Sequence, residues 1–114
     1  MNPADATVRD IKAGDVVRIY NDRGACLAGV ILSDGVMPGV IQLSTGAWYD
    51  PREPGQVGSL CKHGNPNVLT RDIGTSRLAQ APTAHTALVE VEKFIGVLPE
   101  VTAHQPPTII ERGE

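Results

Sequence analysis

The pattern that most constrains the fold is a pair of β-rich runs separated by a four-residue turn. Residues 15–20 read DVVRIY and residues 25–32 read ACLAGVIL, so both runs are dominated by aliphatic side chains. The intervening residues 21–24 read NDRG. Asn, Asp and Gly tolerate the positive φ that a tight turn demands. The pattern therefore predicts a β-hairpin.

A short helix is predicted before the hairpin, over residues 2–11. Asn2 suits the N-cap, Pro3 suits the first helical position, and Asp5 would lie in the first turn, where the helix dipole is positive. Gly14 follows and can end the helix.

Two further segments favour strands. Residues 40–43 read VIQL, a run too short to show which side chains face inwards. Residues 86–94 alternate strictly, so Val89 and Val91 are expected to face inwards while the intervening glutamates face solvent. Pattern alone therefore predicts an all-β barrel with one or two short helices.

Length and charge limit the classes of function. A chain of 114 residues fits one domain with a single core. A net charge of −3, with Lys and Arg spread along the chain, argues against nucleic acid or an anionic membrane as a partner. We expect no transmembrane segment, because no apolar run approaches roughly 20 residues. No targeting signal is visible either, which leaves cytoplasm and periplasm both open.

Metal and nucleotide motifs are missing from the sequence. Cys26 and Cys61 are too few and too far apart for a zinc framework, so we expect two plain thiols that are buried or half-buried. The three histidines match no metal-ligand spacing. The sequence contains no Gly-x-Ser-x-Gly elbow, no Gly-x-Gly-x-x-Gly fingerprint and no Gly-x-x-x-x-Gly-Lys loop. Hydrolase, Rossmann and P-loop chemistry are therefore disfavoured.

The candidate site lies in residues 60–70 (LCKHGNPNVLT), which follow a loop at residues 46–51 (GAWYDP). Their polar groups are mostly amides, one imidazole and backbone atoms. Such a set suits hydrogen bonding to a heteroaromatic ring better than bond breaking. Trp48 and Tyr49 can wall a substrate funnel or fill the mouth of a barrel, and packing in the core or at the rim is favoured.

Four residues of this segment form the core of the candidate site. Gly64 permits close approach of the backbone, and Asn65 and Asn67 offer donors and acceptors. From the residues alone the plainer interpretation is favoured, in which Asn and Gly build turns and His63 caps a backbone carbonyl.

Five spaced blocks resemble one protein family. The segments GAWYDP, LCKHGNPNVLT and GTSRLAQ (residues 74–80) resemble the C-terminal molybdopterin-guanine-dinucleotide-binding domain of the biotin sulfoxide, trimethylamine N-oxide and dimethyl sulfoxide reductases. The segments NDRG and VEVEKF (residues 89–94) extend the resemblance, which runs from about residue 2 to residue 94.

The resemblance implies a particular fold and domain division. We expect a double-psi β-barrel over residues 1–95, and an extended or disordered tail over residues 96–114 that docks on other domains. Relatives carry a further segment before the helix, with an Arg- and His-containing cofactor loop. The barrel is therefore expected to lack its first strand and to present an edge that needs a partner.

The resemblance also reverses the preference at the candidate site. The implied cofactor-binding residues are His63, Gly64, Asn65, Asn67, Gln80 and Ala81. Asn67 is the first choice for a bond to a pterin edge. Gln80 would bind through its amide and Ala81 through its backbone, although the family often has Gly at this position. The plainer interpretation of Gln80 is a solvated loop amide.

The implied function is that of a domain in a bacterial molybdenum oxidoreductase that reduces S-oxides or N-oxides. The implied cofactor is bis(molybdopterin guanine dinucleotide) molybdenum, shared with reductase domains absent from this chain. The isolated chain is then expected to be inactive, because the cofactor supplies the redox chemistry. Two alternatives stay open: a cofactor-free double-psi barrel that serves as an interaction module, and a self-processing decarboxylase whose Gly58–Ser59 bond breaks to form a pyruvoyl group.

Overall fold

The computed structural model describes residues 1–113 as a small antiparallel sheet with little helix. Its elements are the α-helix α1 (Pro3–Val8), the strands β1 (Val16–Tyr20), β2 (Ala25–Gly29) and β3 (Glu90–Lys93), and two single 3₁₀ turns at Pro66–Val68 and Ala84–Thr86. The prediction of a mainly β domain with little helix is confirmed. Among residues 1–113 the three strands form an open sheet, and the double-psi barrel stays a prediction.

The central strand of the sheet is β1, in the order β2-β1-β3. Ile19 on β1 lies opposite Cys26 on β2 and opposite Val91 on β3. The predicted hairpin is therefore confirmed, with strands slightly shorter than the apolar runs. The prediction that Val89 and Val91 face inwards is also confirmed, since both pack against the core while Glu90 and Glu92 are exposed.

The hairpin turn differs from its prediction. None of residues 21–24 has a positive φ. Instead the Asn21 side chain accepts the backbone amide of Arg23 at 2.9 Å, which closes the turn through a side chain. Gly24 is required for another reason, because a Cβ at this position would lie 2.7 Å from the carbonyl oxygen of Val68. The hairpin tip therefore packs directly on the Pro66–Val68 turn.

The start of helix α1 follows its sequence signals. Asn2 is the N-cap, and its side-chain oxygen accepts the Ala4 amide at 2.9 Å. The same side chain donates from Nδ2 to the carbonyl of Val36 at 2.8 Å. One cap therefore both begins the helix and holds the chain that follows β2.

The end of the helix comes earlier than predicted, at Val8 instead of near residue 11. Asp10 adopts a left-handed φ of 52°, and the amide of Ile11 bonds back to the carbonyl of Ala6 at 2.9 Å. This arrangement is the usual closure of a helix by a left-handed residue, here an Asp. The prediction that Gly14 ends the helix is therefore wrong.

The core lies between the sheet, helix α1 and the candidate loop. Its buried members are Ala6, Ile11, Val17, Ile19, Cys26, Val30, Cys61 and Leu69. Residues 40–43 form no strand, contrary to prediction, but Ile41 and Leu43 pack against this cluster from one side. The loop contributes Cys61 and Leu69, so the candidate site is built directly on the core.

Candidate functional site

Two single β-bridges connect strand β2 to the candidate loop and then to the loop at residues 46–52. Cys61 pairs in parallel with Cys26, donating its amide to Ala25 at 2.9 Å and accepting the Leu27 amide at 3.0 Å. Pro51 then pairs with Cys61 in the antiparallel sense. Residues 46–52 and residues 60–70 are therefore neighbours, as a common site requires.

The two cysteines are fully buried thiols, as predicted. Burial raises the pKa of Cys26 to about 12, and the neighbouring Cys61 adds to the effect. A thiol with such a pKa is protonated and is a poor nucleophile at neutral pH. Cys26 therefore packs the core beneath the site and does not act in it, and the fully buried Cys61 packs beside it.

A buried ion pair fixes the loop above this bridge. The Asp50 side chain, only 7% exposed, lies 3.4 Å from Nζ of Lys62. Thr102 donates its amide to Oδ2 of Asp50 at 2.6 Å and its hydroxyl to Oδ1 at 2.7 Å, and that hydroxyl accepts from Lys62 at 2.9 Å. Burial alone would raise the pKa of Asp50, but the bonds from Thr102 and Lys62 outweigh burial and hold this pKa below its usual value.

Beside this ion pair, His63 is held by two aromatic neighbours. Its Nδ1 lies 3.2 Å from the carbonyl oxygen of Trp48. A carbonyl only accepts, so this bond requires a proton on Nδ1 and makes Nε2 of the neutral ring an acceptor. The His104 ring lies 5.1 Å from the His63 ring in an edge-on arrangement, and 5.2 Å from the Trp48 ring. With 63% of its surface exposed, Trp48 packs at the rim of the molecule.

The segment after His63 combines close packing with one free amide. Gly64 has a left-handed φ of 79°, and a Cβ there would lie 3.0 Å from the carbonyl oxygen of Leu27. Asn65 caps the Pro66–Val68 turn by accepting the amide of Asn67 at 2.9 Å, which is the turn-forming role of the plainer interpretation. Within residues 1–113 the carboxamide of Asn67 is exposed and has no hydrogen-bond partner.

A cleft of about 590 Å³ opens over the inner face of the sheet. Apolar side chains from all three strands line it, including Val17, Leu27 and Val91, and His63 and Gly64 contribute to the same lining. The cleft is therefore mostly apolar with a polar corner, as ligand sites commonly are.

Gln80 and Ala81 lie on a different loop, residues 74–82, and do not line this cleft. Gln80 donates its side-chain amide to the carbonyl of Ser76 at 3.0 Å, and the Ala81 carbonyl accepts the amide of Thr75 at 2.9 Å. Every residue of the loop is exposed. Of the six predicted residues, only His63 and Gly64 line the cleft. Asn65 and Asn67 follow them in the same segment, whereas Gln80 and Ala81 lie on the separate loop.

Sequence reasoning missed Thr102 and His104, which the structure places against the loop. Both lie in the segment predicted to be a tail, at least 40 residues from the loop side chains that they contact. A threonine and a histidine in a stretch rich in proline and apolar residues were the only signal available.

The part of the chain that the structure describes has neither a metal-ion cluster nor a membrane-spanning helix. No group of three His, Cys, Asp or Glu side chains within residues 1–113 could hold a metal ion. No helix in the same range is both long and apolar enough to cross a membrane.

Comparison with known proteins identifies the family. Residues 1–88 match the family model described as "Molydopterin dinucleotide binding domain". The chain is 59% identical over 102 residues to trimethylamine-N-oxide reductase 1 of Escherichia coli strain K12, covering 90% of this chain and 12% of the relative. It is 56% identical over 107 residues to trimethylamine-N-oxide reductase of Salmonella typhimurium, covering 94% of this chain and 13% of the relative.

A third relative points the same way. Dimethyl sulfoxide/trimethylamine N-oxide reductase of Cereibacter sphaeroides is 50% identical over 107 residues, again covering 94% of this chain and 13% of the relative. The chain thus spans only about an eighth of the length of these curated relatives. These matches confirm the resemblance seen in the sequence, and the chain belongs to the molydopterin dinucleotide-binding domain family.

Proposed function

We propose that this chain holds part of a bis(molybdopterin guanine dinucleotide) molybdenum cofactor within a larger bacterial reductase of N-oxides or S-oxides. The printed names of the three relatives describe reductases of trimethylamine N-oxide and dimethyl sulfoxide. Because the chain covers 12–13% of their length, the proposal assigns the rest of the active site to other domains. The isolated chain is then inactive.

The observation that carries the proposal is the exposed, unpartnered carboxamide of Asn67 beside the ordered His63–Gly64 corner. A pterin edge presents both donors and acceptors, and a carboxamide can satisfy both kinds of group. His63 adds an acceptor at Nε2 when its ring is neutral. These residues therefore fit the cofactor. The bound cofactor supplies the redox chemistry, and the chain's residues bind and orient it.

Gln80 and Ala81 belong to the proposal as a second contact. In the described structure the Gln80 amide and the Ala81 carbonyl bond within their own loop, so both would have to exchange these partners for the cofactor. The exposed position of residues 74–82 allows such a rearrangement. We therefore assign to this loop a contact that forms by rearrangement after the cofactor binds. The His63 segment would provide a contact that is already formed before binding.

The closed double-psi barrel, with the cofactor-binding domain at residues 1–95 and the tail at residues 96–114, is part of the same proposal. Two features support closure of the open sheet by further strands. The Cys26–Cys61 bridge is parallel in an otherwise antiparallel sheet, so the chain already makes a crossover connection. The apolar cleft also leaves side chains such as Ile41 and Val91 only partly buried.

The test uses a chimera in which this chain replaces the matching residues of the Escherichia coli relative. We expect the chimera to contain molybdenum and guanine nucleotide and to reduce trimethylamine N-oxide. Asn67→Ala and Asn67→Asp should each weaken cofactor retention, since a lost hydrogen-bond partner in a dry site costs about 1–3 kcal/mol. The matched control is Gln56→Ala, which removes an exposed carboxamide from a different loop. Full cofactor content in both Asn67 variants would contradict the assignment.

The isolated chain should bind released cofactor only weakly, because deep sites need walls on several sides. Calorimetry is expected to show no submicromolar binding. Intact mass addresses the decarboxylase alternative, since self-cleavage at Gly58–Ser59 must give two fragments. We expect a single species, because the Ser59 hydroxyl is buried and accepts the Glu53 amide at 2.8 Å.

A further inference from the structure

We propose that residues 99–105 form a latch that orients His63, with Thr102 as its anchor and His104 as its contact to the ring. This inference rests on the proposed function, because it makes Thr102 and His104 positioning residues for the cofactor-binding side chain. It also places a working part of the site beyond residue 88, where the family match ends.

The anchor is a hydrogen-bond network with little freedom. Both carboxylate oxygens of Asp50 accept from Thr102, one from its amide and one from its hydroxyl. Lys62 completes the network by donating to the same hydroxyl. Such charge-assisted bonds are stronger than neutral ones, and in a buried position they cannot be exchanged freely for water. The network therefore fixes the latch at one point on the loop surface.

From this anchor the chain carries His104 to the candidate site, two residues further on. The His104 ring contacts both His63 and Trp48, while the Trp48 carbonyl holds Nδ1 of His63. Each of the three residues thus touches the other two. His63 is held in position by a hydrogen bond and by the edge-on contact with the His104 ring, and its tautomer is fixed by the same hydrogen bond.

The latch is expected to affect cofactor binding as well as folding. A side chain that is already held in its bound rotamer loses less entropy when the ligand arrives. If the latch is released, His63 must be ordered at the moment of binding. We expect a loss of roughly three- to tenfold in cofactor affinity, without removal of any group that touches the cofactor.

The first experiment observes His63 directly, in the full 114-residue chain without cofactor. Nitrogen-15 NMR of the imidazole at about pH 8.5, where an ordinary imidazole is neutral, reports which ring nitrogen carries the proton. The wild-type chain should show His63 as the Nδ1–H form. Thr102→Val and His104→Ala should both shift His63 towards an average of two tautomers.

Three further variants make this result specific. Thr102→Ser keeps the hydroxyl and should restore the wild-type spectrum. Thr108→Val removes an exposed threonine from the same tail and should change nothing. His104→Ala leaves the Asp50 network intact, so it tests the ring contact even where Thr102→Val fails to fold. An unchanged His63 spectrum in His104→Ala would overturn the latch.

The second experiment measures molybdenum and guanine content of the same variants in the chimera. A three- to tenfold loss in Thr102→Val, with rescue by Thr102→Ser, supports the positioning role. Full cofactor content in Thr102→Val despite a disordered His63 spectrum overturns that role while leaving the proposed function intact. The proposed function itself fails if the chimera with the unaltered chain contains no molybdenum and no guanine nucleotide, whereas full cofactor content in the Asn67 variants removes only the role assigned to Asn67.

Discussion

Residues 60–70 and residues 74–82 both carry predicted cofactor-binding side chains, yet they are held in opposite ways. The first segment joins β2 through Cys61, contributes Leu69 to the core and presses Gly64 against the Leu27 carbonyl. The second segment is exposed throughout, and its bonds among Thr75, Ser76, Ala79 and Ala81 lie within the loop.

This difference teaches which part of the site exists before a ligand arrives. Segments with buried apolar contacts and hydrogen bonds to a sheet open rarely, whereas exposed loops belong to the least stable parts of a domain. A substitution in residues 60–70 should therefore change global stability. A substitution in residues 74–82 should change only the loop.

The largest effect is expected for Asp50→Asn, which removes the buried partner of Lys62. The remaining ammonium would lie in a site that is only 11% exposed, with its charge unpaired. Breaking a buried pair from one side is strongly destabilising, and we expect a loss of about 3 kcal/mol in the free energy of unfolding. Urea denaturation measures the loss. The control is Asp34→Asn, which changes an exposed carboxylate and should cost almost nothing.

The same pair has a defined pH dependence. Because the folded-state pKa of Asp50 lies below its ordinary value of 3.8, the stabilisation is fully present above pH 3.8 and is lost as the pH falls through the folded-state pKa. Unfolding measured along an acid series should therefore show a shallower stability loss in Asp50→Asn than in the wild type. If the free energy of unfolding falls with pH equally steeply in the two proteins, the pKa of Asp50 is the same in the folded and unfolded states.

Gly64→Ala should give the second largest effect. The left-handed φ of 79° costs a non-Gly residue about 1–2 kcal/mol, and the new Cβ would crowd the Leu27 carbonyl at 3.0 Å. We expect a total loss of about 2 kcal/mol or slightly more. Gly58→Ala is the matched control, since it has a φ of 77° with nothing within 4 Å of a Cβ. Equal losses in both variants would show that the contact with β2 contributes nothing.

The parts of the fold that were predictable are those set by neighbouring residues. The hairpin, the Asn2 cap and the inward-facing valines depend on local propensity and alternation, and all three are confirmed. The turn at residues 21–24 was located correctly but explained wrongly, because a side chain closes it and the contact with Val68 needs the glycine. Local patterns cannot reveal a contact with a residue more than 40 positions away.

The candidate site was predictable to a similar degree. Motif resemblance located His63, Gly64, Asn65 and Asn67 in one segment, and the structure places them together. It did not reveal Thr102, whose bonds to Asp50 span 52 residues and leave no periodic trace in the sequence. The double-psi barrel also stays a prediction, because closure of a barrel depends on long-range strand pairing, which local sequence patterns do not reveal.

Gly74→Ala should have the smallest effect and provides the sharpest test of the contrast between the loops. Gly74 has no left-handed φ, and a new Cβ would meet chiefly the flexible end of the Gln80 side chain. That side chain can swing away from the Ser76 carbonyl at little cost, and alanine also lowers the entropy of the unfolded chain. We expect a change within about 0.5 kcal/mol in the free energy of unfolding, together with a clear shift of the Gln80 side-chain amide signals in NMR spectra. The same type of change, glycine to alanine, would then be costly at Gly64 in the segment built on β2 and nearly neutral at Gly74 in the exposed loop. A loss comparable to that of Gly64→Ala would show instead that residues 74–82 are part of the cooperative core, and that Gln80 is held as firmly as His63.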